Sequence, residues 1–158
     1  MKISELMTRA VQLCRPTDTL DRAAQLMWDH DIGSLIVVDE PGQVVGVITD
    51  RDVCMAAYTS GLPLHEIEVS RAMSKHVVTC SPDDSDEAAQ AMMAKHKIRR
   101  IPVIDDANHP VGMLSLSDLA CTMARGRDVP ASAIAGTLAA ICEHRTTTSA
   151  ARQQPARS

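Results

Sequence analysis

The chain has 158 residues, 45% of them apolar and 23% charged, and its formal net charge is −4. This weakly acidic balance argues against a nucleic-acid surface, which usually shows a basic patch, and no apolar run approaches the ~18 residues of a membrane span. The first residues lack the apolar core of a secretory signal, so we expect a cytoplasmic protein.

The first 58 residues predict one β-α-β-β-α unit. Short β-branched runs bounded by polar turn residues predict its strands, and apolar residues at helical spacing predict its helices. The predicted elements are, in chain order, a helical turn over 3–7, a strand over 11–13, a helix opening at 17–19, strands over 34–39 and 44–48, and a helix opening at Thr49.

The same pattern returns 66 residues later without a gap. Of the fifty pairs from Ser4/Ser70 to Val53/Leu119, fifteen are identical. A constant offset predicts one structural unit used twice. The second copy predicts a turn over 69–73, a strand over 77–79, a helix opening at 83–85, strands over 100–105 and 111–114, and a helix opening at Ser115.

These patterns predict an α/β (α+β) fold in which the two repeats pack sheet to sheet around a pseudo-twofold axis. Each repeat is too short to be independent, so we expect a shared core and two equivalent clefts at the junction. The predicted divisions are a first repeat over 1–58, a linker over 59–68, a second repeat over 69–124, a C-terminal helical extension over 125–142 with its helix at 131–142, and a disordered tail over 143–158.

Two helix starts carry the chemistry of a nucleotide site. Thr49 and Ser115 each end a strand and open a helix, where free N–H groups and the helix dipole attract an anion. Asp52 and Asp118 follow three residues later. A carboxylate there can accept the two hydrogen bonds of a ribose diol. Because Trp28 and Tyr58 are the only aromatic residues, we expect an adenine ring to lie between aliphatic side chains.

The two starts differ in charge, and both have a simpler interpretation. Arg51 stands where the second copy has Ser117, and Arg100 stands where the first copy has Ser34. Arginine suits phosphate by its forked geometry, so we expect phosphate affinity to differ between the clefts. In the simpler interpretation Thr-x-x-Asp and Ser-x-x-Asp only cap their own helices, and Arg100 belongs to a solvated strand edge.

The repeated motifs resemble a tandem pair of cystathionine-β-synthase (CBS) domains, also called a Bateman module. Each copy has a strand ending in Asp, followed by a strand that ends in Gly-x-h-Thr/Ser-x-x-Asp-h. The matching segments are residues 32–39 and 46–53 in the first copy and residues 98–105 and 112–119 in the second. The resemblance covers residues 1 to about 124 and implies a stand-alone bacterial CBS-pair protein.

The resemblance implies a regulatory sensor rather than an enzyme. It implies that an adenine nucleotide (AMP, ADP or ATP) or S-adenosylmethionine binds in the clefts, with no obligatory cofactor, and that a homodimer signals to an unidentified partner. The predicted ligand-binding residues are Thr49, Asp52, Ser115, Asp118, Arg51 and Arg100. We predict no catalytic residues, because no nucleophile elbow, P-loop, HExxH or Rossmann fingerprint occurs, and we predict no metal site.

Two alternatives stay open at this point. In one, the clefts are empty and the protein serves dimerisation or partner contact. In the other, it is a thiol-based redox sensor. Five cysteines without a CxxC motif indicate no disulfide framework, but Cys14 and Cys80 are repeat mates. They are either small buried residues at equivalent strand ends or a thiol pair across the pseudo-twofold axis.

Overall fold

The computed structural model describes residues 1–126 and 129–143. It contains two repeats of the β-α-β-β-α pattern, with the first strand of the second reduced to a single bridge, and one further helix follows, which confirms the predicted fold class. The first repeat consists of β1 (Leu13–Cys14), α1 (Leu20–Asp29), β2 (Ser34–Val38), β3 (Val44–Thr49) and α2 (Asp50–Ser60). The second consists of α3 (Asp86–His96), β4 (Arg100–Ile104), β5 (Pro110–Ser115) and α4 (Leu116–Ala124), and α5 (Ala131–Cys142) follows.

The two sheets repeat each other in register. In repeat one β1 pairs parallel to β2, which pairs antiparallel to β3. In repeat two β4 pairs antiparallel to β5, and a single parallel bridge between Cys80 and Val103 takes the place of β1. Both hairpins carry an irregularity at the same point, after Val37 and after Val103. The 66-residue offset therefore holds at the level of individual backbone pairs.

The first strand of each repeat lies later than predicted. It is at Leu13–Cys14 and at the Cys80 bridge, not over 11–13 and 77–79. Val11 and Val77 are apolar for another reason, because they pack in the cluster between the two sheets. The linker predicted over 59–68 is also partly ordered structure: α2 runs to Ser60, and a 3-10 turn spans Leu64–Glu66.

The repeats exchange their N-terminal turns. Ile3 is fully buried in the core of repeat two, and Val69 is fully buried in the core of repeat one. Equivalent backbone bonds hold both turns: Ser4 N–H donates to the Pro82 carbonyl at 2.9 Å, and Ser70 N–H donates to the Pro16 carbonyl at 2.9 Å. Each core is thus completed by the other repeat, as expected of units too small to stand alone.

A third apolar cluster joins the two sheets. Ile36, Val38 and Val44 from repeat one are buried there against side chains of repeat two such as Ile104 and Met113. The sheet-to-sheet packing is as predicted. The expected shared core is divided into this seam and two cores that share residues through the exchanged turns.

Gly46 and Gly112 make the exchange possible. A Cβ at Gly112 would lie 2.6 Å from the Met7 sulfur and 3.1 Å from the Thr8 carbonyl oxygen. A Cβ at Gly46 would meet the equivalent atoms, at 2.7 Å from the Met73 sulfur and 3.1 Å from the carbonyl oxygen of residue 74. The close approach that these glycines permit is therefore to the turn segment of the other repeat.

Helix α5 covers repeat two. Ile134 and Thr137 are buried against that repeat, and the Thr137 hydroxyl donates to Gln90 Oε1 on α3 at 3.2 Å. At its C-terminal end the Lys97 ammonium donates to the Glu143 carbonyl at 2.8 Å. The tail predicted over 143–158 otherwise lies outside the described residues.

The corresponding helices of repeat one stay open to solvent. Trp28 on α1 is 86% exposed and Tyr58 on α2 is 82% exposed. None of the helices in the described part of the chain is both long and apolar enough to cross a membrane.

Candidate functional site

Both predicted helix starts form complete capping boxes. The Thr49 hydroxyl accepts from Asp52 N–H at 3.2 Å, and Asp52 Oδ2 accepts from Thr49 N–H at 2.9 Å and from the Thr49 hydroxyl at 2.7 Å. Ser115 and Asp118 repeat this arrangement at 3.1, 2.8 and 2.6 Å. The capping interpretation is correct for this structure, and each Asp uses one carboxylate oxygen for it.

The Ser115 helix start also opens onto a cleft between the repeats. The cleft encloses about 250 Å³. Repeat two supplies Arg100, Met113, Ser115, Ser117 and Asp118, and repeat one supplies Thr8, Ala10, Val11, Gln12 and residues 31–34. Carboxylate, hydroxyls, a guanidinium and aliphatic side chains thus face one space.

The exchanged turn positions this cleft. Thr8 N–H donates to the Met113 carbonyl and Met113 N–H donates to the Thr8 carbonyl, both at 2.9 Å. The pairing brings residues 8–12 beside the end of β5, next to Ser115. The aliphatic wall therefore comes from both repeats: Val11 and Ile32 from one, Met113 from the other.

The two aspartates are not equivalent. Asp118 Oδ1 accepts from the Thr8 hydroxyl of the other repeat at 3.3 Å. Ser74 is the repeat mate of Thr8, and its hydroxyl donates instead to the His76 carbonyl at 3.4 Å. Among the described residues, Asp52 Oδ1 therefore receives no such bond. Sequence reasoning did not identify Thr8; its one signal was the hydroxyl repeated at Ser74.

The two predicted arginines lie in different surroundings. Arg100 lines the cleft with Ser115 and Asp118, and its Nη2 atom lies 3.3 Å from where a Gly33 Cβ would stand. Arg51 is exposed in the first turn of α2 and is not part of that lining. The structure thus brings together three of the six predicted residues, while Thr49, Asp52 and Arg51 belong to the other helix start.

Asp52 lines a second hollow of about 270 Å³ between α2 and the chain at residues 67–72. Its lining includes Arg71 and Thr59 but no residue of the 250 Å³ cleft. The two helix starts therefore face differently shaped spaces.

The cysteine pair is deeply buried. Cys14 is 3% exposed and Cys80 is 4% exposed. Burial is the main cause that raises the pKa of each thiol to about 12. Because the thiolate is the reactive species, these positions suit small core residues better than redox sensors. Within the described part of the chain, no group of three or more His, Cys, Asp or Glu side chains is arranged to hold a metal ion.

Fold and cleft together define a tandem α/β repeat with a space of about 250 Å³ at its junction. The family model for the CBS domain matches residues 3–58 and 68–124. The chain belongs to the CBS-domain family, whose domains serve as regulatory modules.

Relatives with this module include both small proteins and enzymes. The CBS domain-containing protein YhcV of Bacillus subtilis is 37% identical over 118 residues, which cover 75% of this chain and 82% of that protein. A homoserine O-acetyltransferase of Methanocorpusculum labreanum is 35% identical over 119 residues, which cover 75% of this chain but 23% of the enzyme. The chain thus matches less than a quarter of that enzyme's length.

The fold also matches solved CBS pairs. The CBS domain pair of protein MJ0100, in complex with 5′-methylthioadenosine and S-adenosyl-L-methionine, superposes with a TM-score of 0.73 at 23% identity, covering 80% of this chain and 98% of that one. At this identity the likeness establishes the fold.

Proposed function

We propose that the cleft at Ser115 and Asp118 binds an adenosine-containing small molecule and that its occupancy is signalled to a partner protein. The protein would act as a regulatory sensor in the cytoplasm and carry out no catalysis itself. The observation that carries this proposal is the 250 Å³ cleft in which residues of both repeats meet around Ser115 and Asp118.

The ribose would be held by Asp118. Its Oδ2 atom is engaged in the capping box, whereas Oδ1 has one long bond, of 3.3 Å, to the partly solvated Thr8 hydroxyl. A ribose diol can take the place of that hydroxyl and donate to the carboxylate. Hydrogen bonds to charged groups contribute about 1.5–3 kcal/mol each, enough to distinguish a ribose from a deoxyribose.

The base and the 5′ substituent of the ligand would contact the remaining walls of the cleft. Val11, Ile32 and Met113 provide an aliphatic slot for a planar base, which gains from burial of apolar surface. Arg100, which lines the cleft with Ser115, would lie nearer the 5′ substituent. The adenosyl ligands bound by the CBS pair of MJ0100 support this chemical class.

Isothermal titration of adenosine, AMP, ATP, 5′-methylthioadenosine and S-adenosylmethionine tests the proposal. We expect at least one of them to bind, and we expect Asp118→Ala to weaken it by tenfold or more. Asp52→Ala is the matched control, because it breaks the same capping box at the other helix start. Equal binding by wild type and both variants contradicts the assignment to Asp118.

A second candidate function is self-association through repeat one. Trp28, Met55 and Tyr58 are exposed on α1 and α2, and a hollow of about 370 Å³ between these helices is lined by Met27, Trp28 and Val53 among others. Large exposed apolar patches mark interaction sites. We propose a second copy of the chain as the occupant, since the equivalent face of repeat two is already covered by α5.

Light scattering tests this homodimer at micromolar concentration. We expect wild type to be a dimer and Trp28→Lys/Tyr58→Lys to be a monomer. Leu138→Lys changes an exposed residue of α5 and should leave the dimer intact. A monomeric wild type rules the proposal out.

A further inference from the structure

We propose that the Ser115–Asp118 cleft selects its ligand by charge: it accepts an adenosine derivative whose 5′ substituent is uncharged or cationic and discriminates against di- and triphosphates. The proposal rests on the proposed function, since it concerns the ligand class of the same cleft. It departs from the sequence-based expectation that Arg100 makes this cleft a phosphate site.

The charges around the cleft are mostly negative. Its lining contains two carboxylates, Asp31 and Asp118, and one cation, Arg100. A third carboxylate adjoins it, because Asp50 Oδ2 lies 3.1 Å from the position of a Gly33 Cβ. The formal sum of these four side chains is −2.

A carboxylate, Asp50, lies near the Arg100 guanidinium. The Nη2 atom of Arg100 lies 3.3 Å from the same Gly33 position that Asp50 Oδ2 approaches. Two atoms so close to one point lie within about 6 Å of each other, where opposite charges on exposed side chains attract modestly. Asp50 therefore offsets part of the one positive charge, and a polyphosphate placed there would also meet the carboxylates of Asp31 and Asp118.

The repeat mates of two residues that line the cleft carry positive charges. The repeat mate of Asp31 is Lys97, and the mate of Ser117 is Arg51. Asp31 and Lys97 share the left-handed backbone conformation, with φ of 51° and 53°. Lysine is thus already accepted by this backbone, so Asp31→Lys is a safe change that reverses the charge of the cleft.

The experiment compares adenosine, AMP and ATP on wild type, Asp31→Lys, Ser117→Arg and Asp106→Lys by titration calorimetry at low salt. Binding is assigned to this cleft when Asp118→Ala removes it and Asp52→Ala does not. Asp106→Lys makes the same change of net charge in the exposed turn at the far end of the β4–β5 hairpin. Thermal unfolding of each variant verifies that it is folded.

We expect wild type to bind adenosine at least tenfold more tightly than ATP in this cleft. Asp31→Lys should raise ATP affinity about tenfold relative to adenosine affinity, Ser117→Arg should act in the same direction, and Asp106→Lys should leave that ratio unchanged. Added salt should shrink these differences.

Three outcomes overturn the proposal. If wild type binds ATP as tightly as adenosine in this cleft, charge selection is absent while the proposed function stands. If Asp31→Lys and Asp106→Lys act alike, the effect belongs to net charge and not to the cleft. If none of the adenosine compounds binds, the proposed function fails and the charge selection fails with it.

Discussion

Repeat one and repeat two have the same elements in the same order but different neighbours. Helix α5 lies on α3 and α4 of repeat two, where Ile134 is buried. The matching helices of repeat one expose Trp28 and Tyr58. The comparison teaches that a duplicated backbone does not produce a duplicated surface, because the segment added after the second repeat decides which helical face stays exposed.

The interior of the molecule shows the opposite relation. Each repeat lends its N-terminal turn to the other through equivalent bonds, at Ser4–Pro82 and at Ser70–Pro16. Here the duplication is preserved, because both cores depend on it. The repeats thus agree where they bury each other and differ where they meet solvent.

The largest expected effect tests the packing of α5 on repeat two. Ile134→Ala should lower the free energy of unfolding by about 2–4 kcal/mol, since it empties a buried apolar site. Urea denaturation measures the change. Leu138→Ala, on the same helix but 44% exposed, should cost less than about 0.5 kcal/mol. Similar losses for the two variants would show that α5 does not pack on repeat two.

The next effect tests the exchanged turns. Gly112→Ala and Gly46→Ala should each destabilise by about 1–3 kcal/mol through overpacking, because the Thr8 and Ser74 carbonyl oxygens are backbone atoms that cannot move aside easily. Gly136→Ala is the control, since a Cβ there meets nothing within 4 Å. It should stabilise α5 by about 0.5–1 kcal/mol.

Thermal and urea unfolding of the three glycine variants measures these differences. A loss at only one of Gly46 and Gly112 would contradict the equivalence of the two exchanges. A loss at Gly136 as large as at Gly112 would mean that the close contacts are not the cause.

Much of this architecture could be predicted from the sequence, because each weak sequence pattern for a strand or a helix occurs twice. Each prediction rested on two copies of the same pattern: the strands that begin at Ser34 and Arg100, and the helix caps at Thr49 and Ser115. Helix α5 was also predicted at its observed bounds. Its alanine-rich sequence is apolar on most sides, however, and so could not indicate which repeat it would cover.

The cleft could be predicted only in part. Ser115 and Asp118 were identified because they are close in sequence and belong to one motif. Thr8 contacts Asp118 across 110 positions of the chain, and Asp31 follows the end of α1 with no motif around it. Residues that a tertiary exchange brings together leave no local pattern. The first strand was predicted too early in the chain for a related reason: Val11 is apolar because it packs in the seam between the sheets.

The third prediction concerns the pH dependence of stability at the buried cysteines, where the two repeats should behave alike. Burial raises the pKa of Cys14 and Cys80 to about 12 from an ordinary value of 9.0. Above pH 9 the unfolded state loses these protons while the folded state keeps them. Stability should therefore be unaffected by the pair below pH 9 and fall as pH rises toward 12, by up to about 1.4 kcal/mol per pH unit for each thiol.

Urea titrations between pH 8 and pH 11 measure this slope. Cys14→Ala and Cys80→Ala should each flatten it by a similar amount, and Cys54→Ala, at an exposed position, should leave it unchanged. A slope that neither core variant alters would show that the thiols ionise as readily in the folded protein as in the unfolded one.

The smallest effect separates the two helix starts directly. Thr8 donates to Asp118 Oδ1 at 3.3 Å across the repeats, whereas Ser74 donates to the His76 carbonyl. A double-mutant cycle with Thr8→Ala and Asp118→Ala should therefore give a coupling of about 0.5 kcal/mol, the low end for groups in contact because this bond is long and exposed. The cycle with Ser74→Ala and Asp52→Ala should give a coupling near zero. Both cycles remove the same capping box, so the difference between them isolates the bond that joins the repeats. Equal couplings would mean that the duplicated helix starts are equivalent in solution, and the proposed preference of the ligand for the Ser115 cleft would then have to come from the charges around it alone.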